Sequence, residues 1–507
     1  MKIVIGYPPL NTKKGVPQIS QNRQFQWTTS GPLSYFIYPV IPASAATLLQ
    51  KNGYEVKWLD GLAEKWTYEK WLAEIKKIKP DIIALESKTP VIKEYWKIVR
   101  DLKSLVTNCQ PPITILMGDH VTALPEESME NCPVDFIITG GDYDFLLLSI
   151  ANHLSKGEKL DPGIWYRQNE KLKIKKEKLQ RKNIKSVNYS STGKFQLNHD
   201  LNSLPMIDRE LTRWELYAYK NSNFYRAPGA YTMFGRDCWW GKCTFCSWTT
   251  LFPGACFRSV KVEKALDEIG ELIEKYQVRE IMDDSGSFPV GDWLREFCLG
   301  MIKRGYHKKI RFNCNQRFNS GLKEEDYRLM GKAGFRFILY GLESANQRTL
   351  DKINKNLKIG QIEQVLKHAK KADLMPHLTV MVGYPWENRH DIEKTLALAS
   401  DFFKKGLADS LQATVVIPYP GTPLFEYCRK NNLLKTTDWN RYDMREPIMK
   451  TKIEESDLMA AVRGLYNRSI WTPRFIINTL SQLRTIDGVK YVGFQALKYF
   501  GKLLEFK

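Results

Sequence analysis

The strongest constraint on the fold is an alternation of short apolar strands with helical stretches, which occurs twice along the chain. In the first series, helical stretches separate five predicted strands: residues 3–5, 55–59, 81–85, 113–117 and 135–138. This alternation is typical of an α/β, doubly wound parallel sheet. Such sheets bind ligands beyond the carboxyl ends of their strands. Residues 118–125 (GDHVTALP) and 139–144 (TGGDYD) are therefore the expected ligand-binding edge.

The second series starts near Tyr231 and predicts six strands, five of them followed by a helix. A partial (β/α)6 parallel barrel is expected, with its active site at the carboxyl ends of the strands. The chain has 507 residues, more than the ~250 to 300 at which one hydrophobic core stops growing. We therefore predict four regions: a Rossmann-like domain (1–161), a hairpin and linker (162–228), the barrel (229–430) and a mainly helical C-terminal region (431–507).

Three cysteines lie within nine residues in the loop after the first barrel strand, residues 235–248 (GRDCWWGKCTFCSW). Cysteine thiolates hold iron–sulfur clusters, and three of them leave one iron free for another ligand. The expected metal ligands are Cys238, Cys243 and Cys246. A structural zinc site is the alternative, but it needs a fourth ligand, for which Cys256 is the nearby candidate.

The order of Cys243, Thr244, Phe245 and Cys246 resembles the radical S-adenosylmethionine (SAM) superfamily. The resemblance implies a 4Fe–4S cluster whose open iron chelates SAM, which is then cleaved reductively. Four residues separate Cys238 from Cys243, whereas three are usual in the family. The extra residue affects the expected path of the loop between Cys238 and Cys243.

Further segments resemble this family across about 190 residues, and each matches a segment at the end of a barrel strand or directly after it. They are the acidic pair Asp283 and Asp284, residues 340–344 (YGLES), residues 382–387 (VGYPWE) and residues 419–423 (YPGTP). The resemblance implies that the cofactor SAM is contacted by Phe245, Asp284, Gly341, Glu343, Ser344 and Gly383.

The GxH element at Gly118 to His120 resembles the cobalamin-binding domain that precedes the barrel in one large radical SAM subfamily, which includes class B methyltransferases. The resemblance implies cobalamin contacts at Gly118, His120, Thr122, Gly140 and Gly141. Asp119 and His120 are adjacent, so the Asp-x-His-x-x-Gly signature of a histidine bound to cobalt is absent. We therefore expect His120 to be a hydrogen-bonded loop histidine. TGGDYD also departs from the Gly-Glu-Gly-Glu-like run of the subfamily.

With a 4Fe–4S cluster, SAM and cobalamin, the resemblance implies methylation of an unactivated carbon in a small-molecule, lipid or peptide substrate. A cobalamin-dependent cyclase or oxidase is a second possibility, and a non-catalytic metal- or cobalamin-binding protein is a third. The sequence assigns no catalytic acid or base. A reductant protein such as flavodoxin or ferredoxin is the expected electron donor.

The formal net charge of +20 does not by itself identify a partner, and much of the excess lies in residues 171–185, which we interpret as solvated. Nucleic-acid binding is not expected. No apolar run approaches the ~18 residues that span a bilayer, and the N-terminus does not resemble a secretory signal, so a cytoplasmic location is expected. The last residues place apolar side chains at helical spacing between lysines and arginines. They predict a helix packed on the barrel, or peripheral contact with an anionic membrane.

Overall fold

The computed structural model describes residues 1–505 except for 11, 21–24, 29–34, 106–109, 169–187, 220, 222 and 255. The lysine-rich segment 171–185 therefore lies outside the described residues. No helix in the described part of the chain is long and apolar enough to cross a bilayer.

The N-terminal region is a seven-stranded sheet flanked by helices. Its strands are β1 Lys2–Tyr7, β4 Glu55–Asp60, β5 Ile82–Glu86, β6 Ile113–Met117, β7 Phe136–Ile138, β8 Ile164–Arg167 and β9 Tyr189–Ser191, and a small antiparallel pair is formed by β2 Val16–Pro17 and β3 Trp27–Thr28. The helices are α1 Val40–Lys51, α2 Tyr68–Ile78, α3 Ile92–Ser104, α4 Asp119–Ala123, α5 Pro125–Asn131, α6 Tyr143–Lys156 and α7 Glu215–Ala218.

The order of this sheet is β4-β1-β5-β6-β7-β8-β9. The first five of these strands are parallel, as predicted, because each is followed by a helix that returns the chain. Strands β8 and β9 form an antiparallel hairpin that extends the sheet. The hairpin expected within residues 162–228 is therefore part of the first sheet.

The second region is a partial barrel of six parallel strands in the order β10-β13-β14-β15-β16-β17. The strands are β10 Gly229–Thr232, β13 Glu280–Asp283, β14 Arg311–Gln316, β15 Phe335–Glu343, β16 Met375–Val382 and β17 Ser410–Val415, and β11 Gly235–Arg236 pairs with β12 Arg258–Ser259. The helices are α8 Trp248–Leu251, α9 Val262–Glu274, α10 Asp292–Lys303, α11 Tyr306–Lys309, α12 Glu324–Lys332, α13 Gln347–Lys352, α14 Ile359–Lys371, α15 Arg389–Lys404 and α16 Pro423–Lys430. The fold class predicted from the sequence is confirmed.

Three helices follow the barrel: α17 Glu455–Ile470, α18 Pro473–Gln482 and α19 Ile486–Glu505. The core of the first region also contains barrel side chains, including Phe252, Ile417 and Tyr419. The carboxyl ends of the two sets of strands therefore face each other across a buried interface.

Candidate functional site

The three cysteines lie between β11 and α8, at the carboxyl end of the barrel strands. Hydrogen bonds fix this loop at Thr244: its N–H donates to Ile353 O at 3.0 Å, and its carbonyl accepts from Leu424 N–H at 2.8 Å. Gly241 has a φ of +57°, and a Cβ at this position would lie 2.2 Å from Gly254 O. The turn between Cys238 and Cys243 therefore requires glycine.

The thiols of the loop have partners suited to a thiolate. Ser287 Oγ lies 3.3 Å from Cys238 Sγ, and Arg317 donates to Cys243 Sγ at 3.5 Å. Burial raises the pKa of Cys246, and the charge of the neighbouring Cys243 raises it further. Among the described residues, no three His, Cys, Asp or Glu side chains are close enough to share one metal ion. The three thiols stay the predicted donor set of a cubane cluster.

Two cations that the sequence analysis did not identify lie beside this loop. The Arg317 guanidinium lies 5.4 Å from the Trp239 ring and 5.2 Å from the Trp240 ring, within the range of cation–π attraction. Lys355 lies 5.9 Å from the Phe245 ring. Burial raises the pKa of Cys243, while Lys355 and Arg317 act to lower it. These cations favour the thiolate form that binds iron.

Glu343 ends β15 in the left-handed region, with a φ of +62°. Its buried carboxylate accepts from Lys355 Nζ at 2.7 Å. A Cβ at Gly341 would lie 2.2 Å from Glu343 Oε1 and 2.5 Å from Lys355 Nζ. A side chain at Gly341 would therefore displace the ends of these two side chains, and Phe245, Gly341 and Glu343 lie together around Lys355.

Glu387 joins two further predicted SAM contacts, Ser344 and Gly383. Its Oε1 accepts from Ser344 Oγ at 3.2 Å, and its Oε2 accepts from the Gly383 and Tyr384 N–H groups at 3.2 and 3.3 Å. Burial raises the pKa of Glu387 to about 7, although these hydrogen bonds act to lower it. Glu387 stands at the end of the VGYPWE segment, where its sequence position alone did not indicate this bridging role.

Asp284 follows β13 and is fully buried, and its N–H donates to Thr232 O at 2.8 Å. The adjacent Asp283 has a structural role, because it accepts from Thr232 Oγ1 and from Phe234 N–H, both at 2.9 Å. Of the acidic pair, the predicted contact Asp284 is thus next to the cysteine loop, while Asp283 fixes the end of the first barrel strand.

Several buried polar atoms near the loop lack a hydrogen-bond partner among the described residues. They are Asp237 Oδ2, Trp239 Nε1, Thr244 Oγ1, Asn315 Oδ1 and Tyr384 OH. Buried polar groups in native proteins are normally hydrogen-bonded. Their concentration around three thiols fits a polar ligand bound at this edge of the barrel.

On the facing edge, His120 is fully buried, and its ring makes edge contacts with the rings of Trp96 and Trp439. Its Nε2 is 3.0 Å from Glu127, and its Nδ1 is 3.4 Å from Thr89 Oγ1. His120 is therefore hydrogen-bonded, as expected, but it lies in helix α4 and not in a loop.

The other predicted contacts on this edge connect two loops. Thr122 Oγ1 donates to Gly118 O at 2.7 Å and accepts from Gly140 N–H at 3.1 Å. A Cβ at Gly140 would lie 2.5 Å from the Phe195 ring, and one at Gly141 would lie 2.1 Å from the Phe252 ring. Because these two glycines have no side chain, the Phe195 and Phe252 rings can pack directly against the backbone.

A buried ion cluster connects the TGGDYD segment to the cysteine loop. Arg236 forms ion pairs with Asp144 and, at 3.3 Å, with Asp142. Asp142 also pairs with Arg258 and His199, both at 2.8 Å. These partners hold the pKa of Asp142 below its ordinary value in spite of burial. The acidic residues of TGGDYD therefore bind barrel arginines.

The model of the Radical SAM superfamily matches residues 232–399, which contain the cysteine loop and the ends of β13 to β16. The chain contains a radical SAM domain. A protein named as an uncharacterized methyltransferase of Pyrococcus horikoshii is 28% identical to it, over 98% of this chain and 99% of the relative. An anaerobic magnesium-protoporphyrin IX monomethyl ester cyclase of Cereibacter sphaeroides is 24% identical, over 83% and 65%.

This radical SAM chain also has the fold of a solved cobalamin-dependent SAM radical enzyme, OxsB. That structure covers all of this chain with a TM-score of 0.69, at 14% identity and over 71% of OxsB, and contains aqua-cobalamin and SAM. The family predicted from the sequence is confirmed, and so is the order of a Rossmann-like sheet followed by a partial barrel.

Proposed function

We propose that this radical SAM enzyme binds a 4Fe–4S cluster, SAM and cobalamin and methylates an unactivated carbon. When bound, these groups supply reductive carbon–sulfur cleavage and a methyl donor. One observation carries the proposal: three thiols and several unpartnered buried polar atoms face the ligand-binding edge of a doubly wound sheet. The methyltransferase relative that spans almost the whole chain supports methyl transfer.

In this proposal, each group of residues has a separate task. Cys238, Cys243 and Cys246 hold the cluster, and Arg317 and Lys355 offset its negative charge. Glu343 and Ser344 bind and orient SAM. The Trp239 and Trp240 rings wall the cavity and keep water away from the reacting carbon.

Anaerobic reconstitution tests the proposal. The chain is supplied with iron, sulfide, a reductant, cobalamin and SAM carrying a deuterated methyl group, together with a small-molecule extract. We expect deoxyadenosine and a product that gains the deuterated methyl group, and the methylated product should disappear when cobalamin is omitted. Deoxyadenosine with a modified but unmethylated product would instead support a cyclase or oxidase, as in the relative named as a cyclase.

Flavodoxin or ferredoxin is the proposed source of electrons. The chain carries a formal net charge of +20, and such a charge steers an acidic carrier toward the protein.

We also propose that α18 and α19 dock on an anionic membrane surface. Eight large apolar side chains are exposed between residues 471 and 497: Trp471, Ile476, Ile477, Leu480, Leu483, Ile486, Val489 and Leu497. Exposed Arg474, Arg484 and Lys490 lie among them, and the acidic Asp487 is already paired with Arg279 at 2.6 Å. Apolar side chains combined with net positive charge fit the headgroup region of anionic lipids.

The docking surface is fixed to the amino-terminal end of the barrel, because Arg279 precedes β13 and the Tyr491 ring packs 5.3 Å from the Tyr225 ring. It therefore lies at the end of the barrel opposite the cysteine loop. Membrane contact here would anchor the enzyme while leaving the site at the other end open.

Vesicle co-sedimentation tests this surface. We expect binding to phosphatidylglycerol-containing vesicles that weakens with salt, and little binding to pure phosphatidylcholine. Ile477→Ser combined with Ile486→Ser should weaken binding by about tenfold or more, because two apolar side chains no longer enter the bilayer. Leu299→Ser, which changes an exposed leucine on α10, is the matched control. Equal sedimentation of the double variant and the wild type would contradict the proposal.

A further inference from the structure

Three buried tyrosine hydroxyls near the domain interface lack a hydrogen-bond partner among the described residues: those of Tyr95, Tyr143 and Tyr419. Tyr95 lies on α3 and Tyr143 on α6, while Tyr419 belongs to the loop after β17. Tyr95 and Tyr143 have no exposed surface, and Tyr419 is 7% exposed. Both sides of the interface thus contribute a hydroxyl that is without a partner in the protein.

The three hydroxyls share acidic neighbours at the carboxyl edge of the first sheet. After burial, the charge of Glu86 is the largest cause that raises the pKa of Tyr95 and of Tyr143. Asp119 likewise raises the pKa of Tyr143 and of Tyr419. Tyr143 therefore lies within electrostatic range of both carboxyl groups, Tyr95 of Glu86 and Tyr419 of Asp119, in one region of the interface.

This region lies at the topological switch point of the sheet. β1 has β4 on one side and β5 on the other, so the connections leave in opposite directions from the ends of β1 and β5, where a crevice forms. Tyr7 ends β1 and donates to Glu86 at the end of β5 at 2.5 Å. Lys88 is buried just beyond, and burial lowers its pKa to about 8.

The surroundings restrict the chemistry of a ligand. Because the pKa of each tyrosine is held well above its ordinary value, the hydroxyls remain protonated and can donate hydrogen bonds. Glu86 and Asp119 outnumber Lys88, the cation that interacts with both of them, so the remaining negative charge disfavours a phosphate or a carboxylate at the same place. A neutral ligand with several carbonyl acceptors satisfies both conditions.

We propose that the hydroxyls of Tyr95, Tyr143 and Tyr419 donate hydrogen bonds to the neutral carboxamide groups around a corrin ring. The inference rests on the proposed function, because it assigns residues to the cobalamin of that proposal. It differs from the sequence expectation, in which Gly118, His120, Thr122, Gly140 and Gly141 make the contacts. His120 and Thr122 already have protein partners, and aromatic rings cover Gly140 and Gly141. The phosphate-bearing tail of the cofactor would lie away from Glu86 and Asp119.

Corrinoid titrations of the full chain, followed by visible absorbance, test the inference. The variants Tyr95→Phe, Tyr143→Phe and Tyr419→Phe each remove one hydroxyl and retain the buried ring. Each should weaken hydroxocobalamin binding by about 2- to 10-fold, and the triple variant by about 30-fold or more. Dicyanocobinamide keeps the corrin amides without the nucleotide tail, so its affinity should fall by the same factors. Tyr276→Phe is the control, because that tyrosine is buried against Trp214, away from this region.

A triple variant that binds both corrinoids as tightly as the wild type would overturn the inference and leave the proposed function intact. A wild-type chain that binds neither corrinoid would instead overturn the cobalamin part of the proposed function, and this inference with it. Cobyrinic acid, which carries carboxylates in place of the amides, should bind at least about tenfold more weakly than dicyanocobinamide, because of Glu86 and Asp119. Equal affinity for these two corrinoids would also contradict the inference.

Discussion

Cys243→Ala should abolish both cluster assembly and the reductive cleavage of SAM. Cys243 is buried next to Arg317 and near Lys355, two cations that favour its thiolate. A cubane with only two protein thiolates loses one of the three anchors that leave a single iron open. After anaerobic reconstitution, we expect iron and labile sulfide to fall to near background, the brown colour to be lost, and deoxyadenosine to be absent.

Cys256→Ala is the matched control for this prediction. Cys256 is exposed and lies ten residues after Cys246, so a closed zinc site would use it, while a three-thiolate cluster would not. The control variant should retain full iron, sulfide and deoxyadenosine formation. Persistent deoxyadenosine formation by Cys243→Ala, or loss of metal in Cys256→Ala, would contradict the ligand assignment.

Local sequence patterns were sufficient to predict the cysteine loop and the strand-end segments. The three thiols and Ser344 follow strands, and Gly341 and Glu343 lie at the end of one. Strand ends of a parallel barrel meet at one edge. The alternation of strands and helices determined both sheets for the same reason. These features are encoded within a few residues of each other, so a single sequence reveals them.

The residues that the sequence analysis missed act through contacts between distant parts of the chain. Arg317 lies 74 positions from Cys243, and Arg236 lies 92 positions from Asp144. The charge of an isolated arginine gives no indication of such a partner. TGGDYD was interpreted as a departure from a cofactor loop, whereas its aspartates pair with Arg236 and Arg258.

Arg236→Met should destabilise the chain more than any surface substitution. Arg236 and Asp144 are both buried, and Arg236 also contacts Asp142 across the domain interface. Asp142 would keep its pair with Arg258, but Asp144 would lose a charged partner in a site closed to water. Breaking a buried ion pair by removing one partner costs about 3–5 kcal/mol. Urea unfolding of the reduced, metal-free chain, followed by circular dichroism, should show a loss of this size.

Two further variants separate the buried charge from the loss of a side chain. Arg304→Met removes an arginine from a surface pair with Asp267 at 2.6 Å and should cost no more than about 1 kcal/mol, because water screens such pairs. Adding Asp144→Asn to Arg236→Met removes the uncompensated carboxylate and should restore most of the lost stability, since replacing both members of a buried pair is often nearly neutral. If the double variant were as unstable as Arg236→Met alone, packing of the arginine side chain, and not its charge, would connect the cysteine loop to the first sheet.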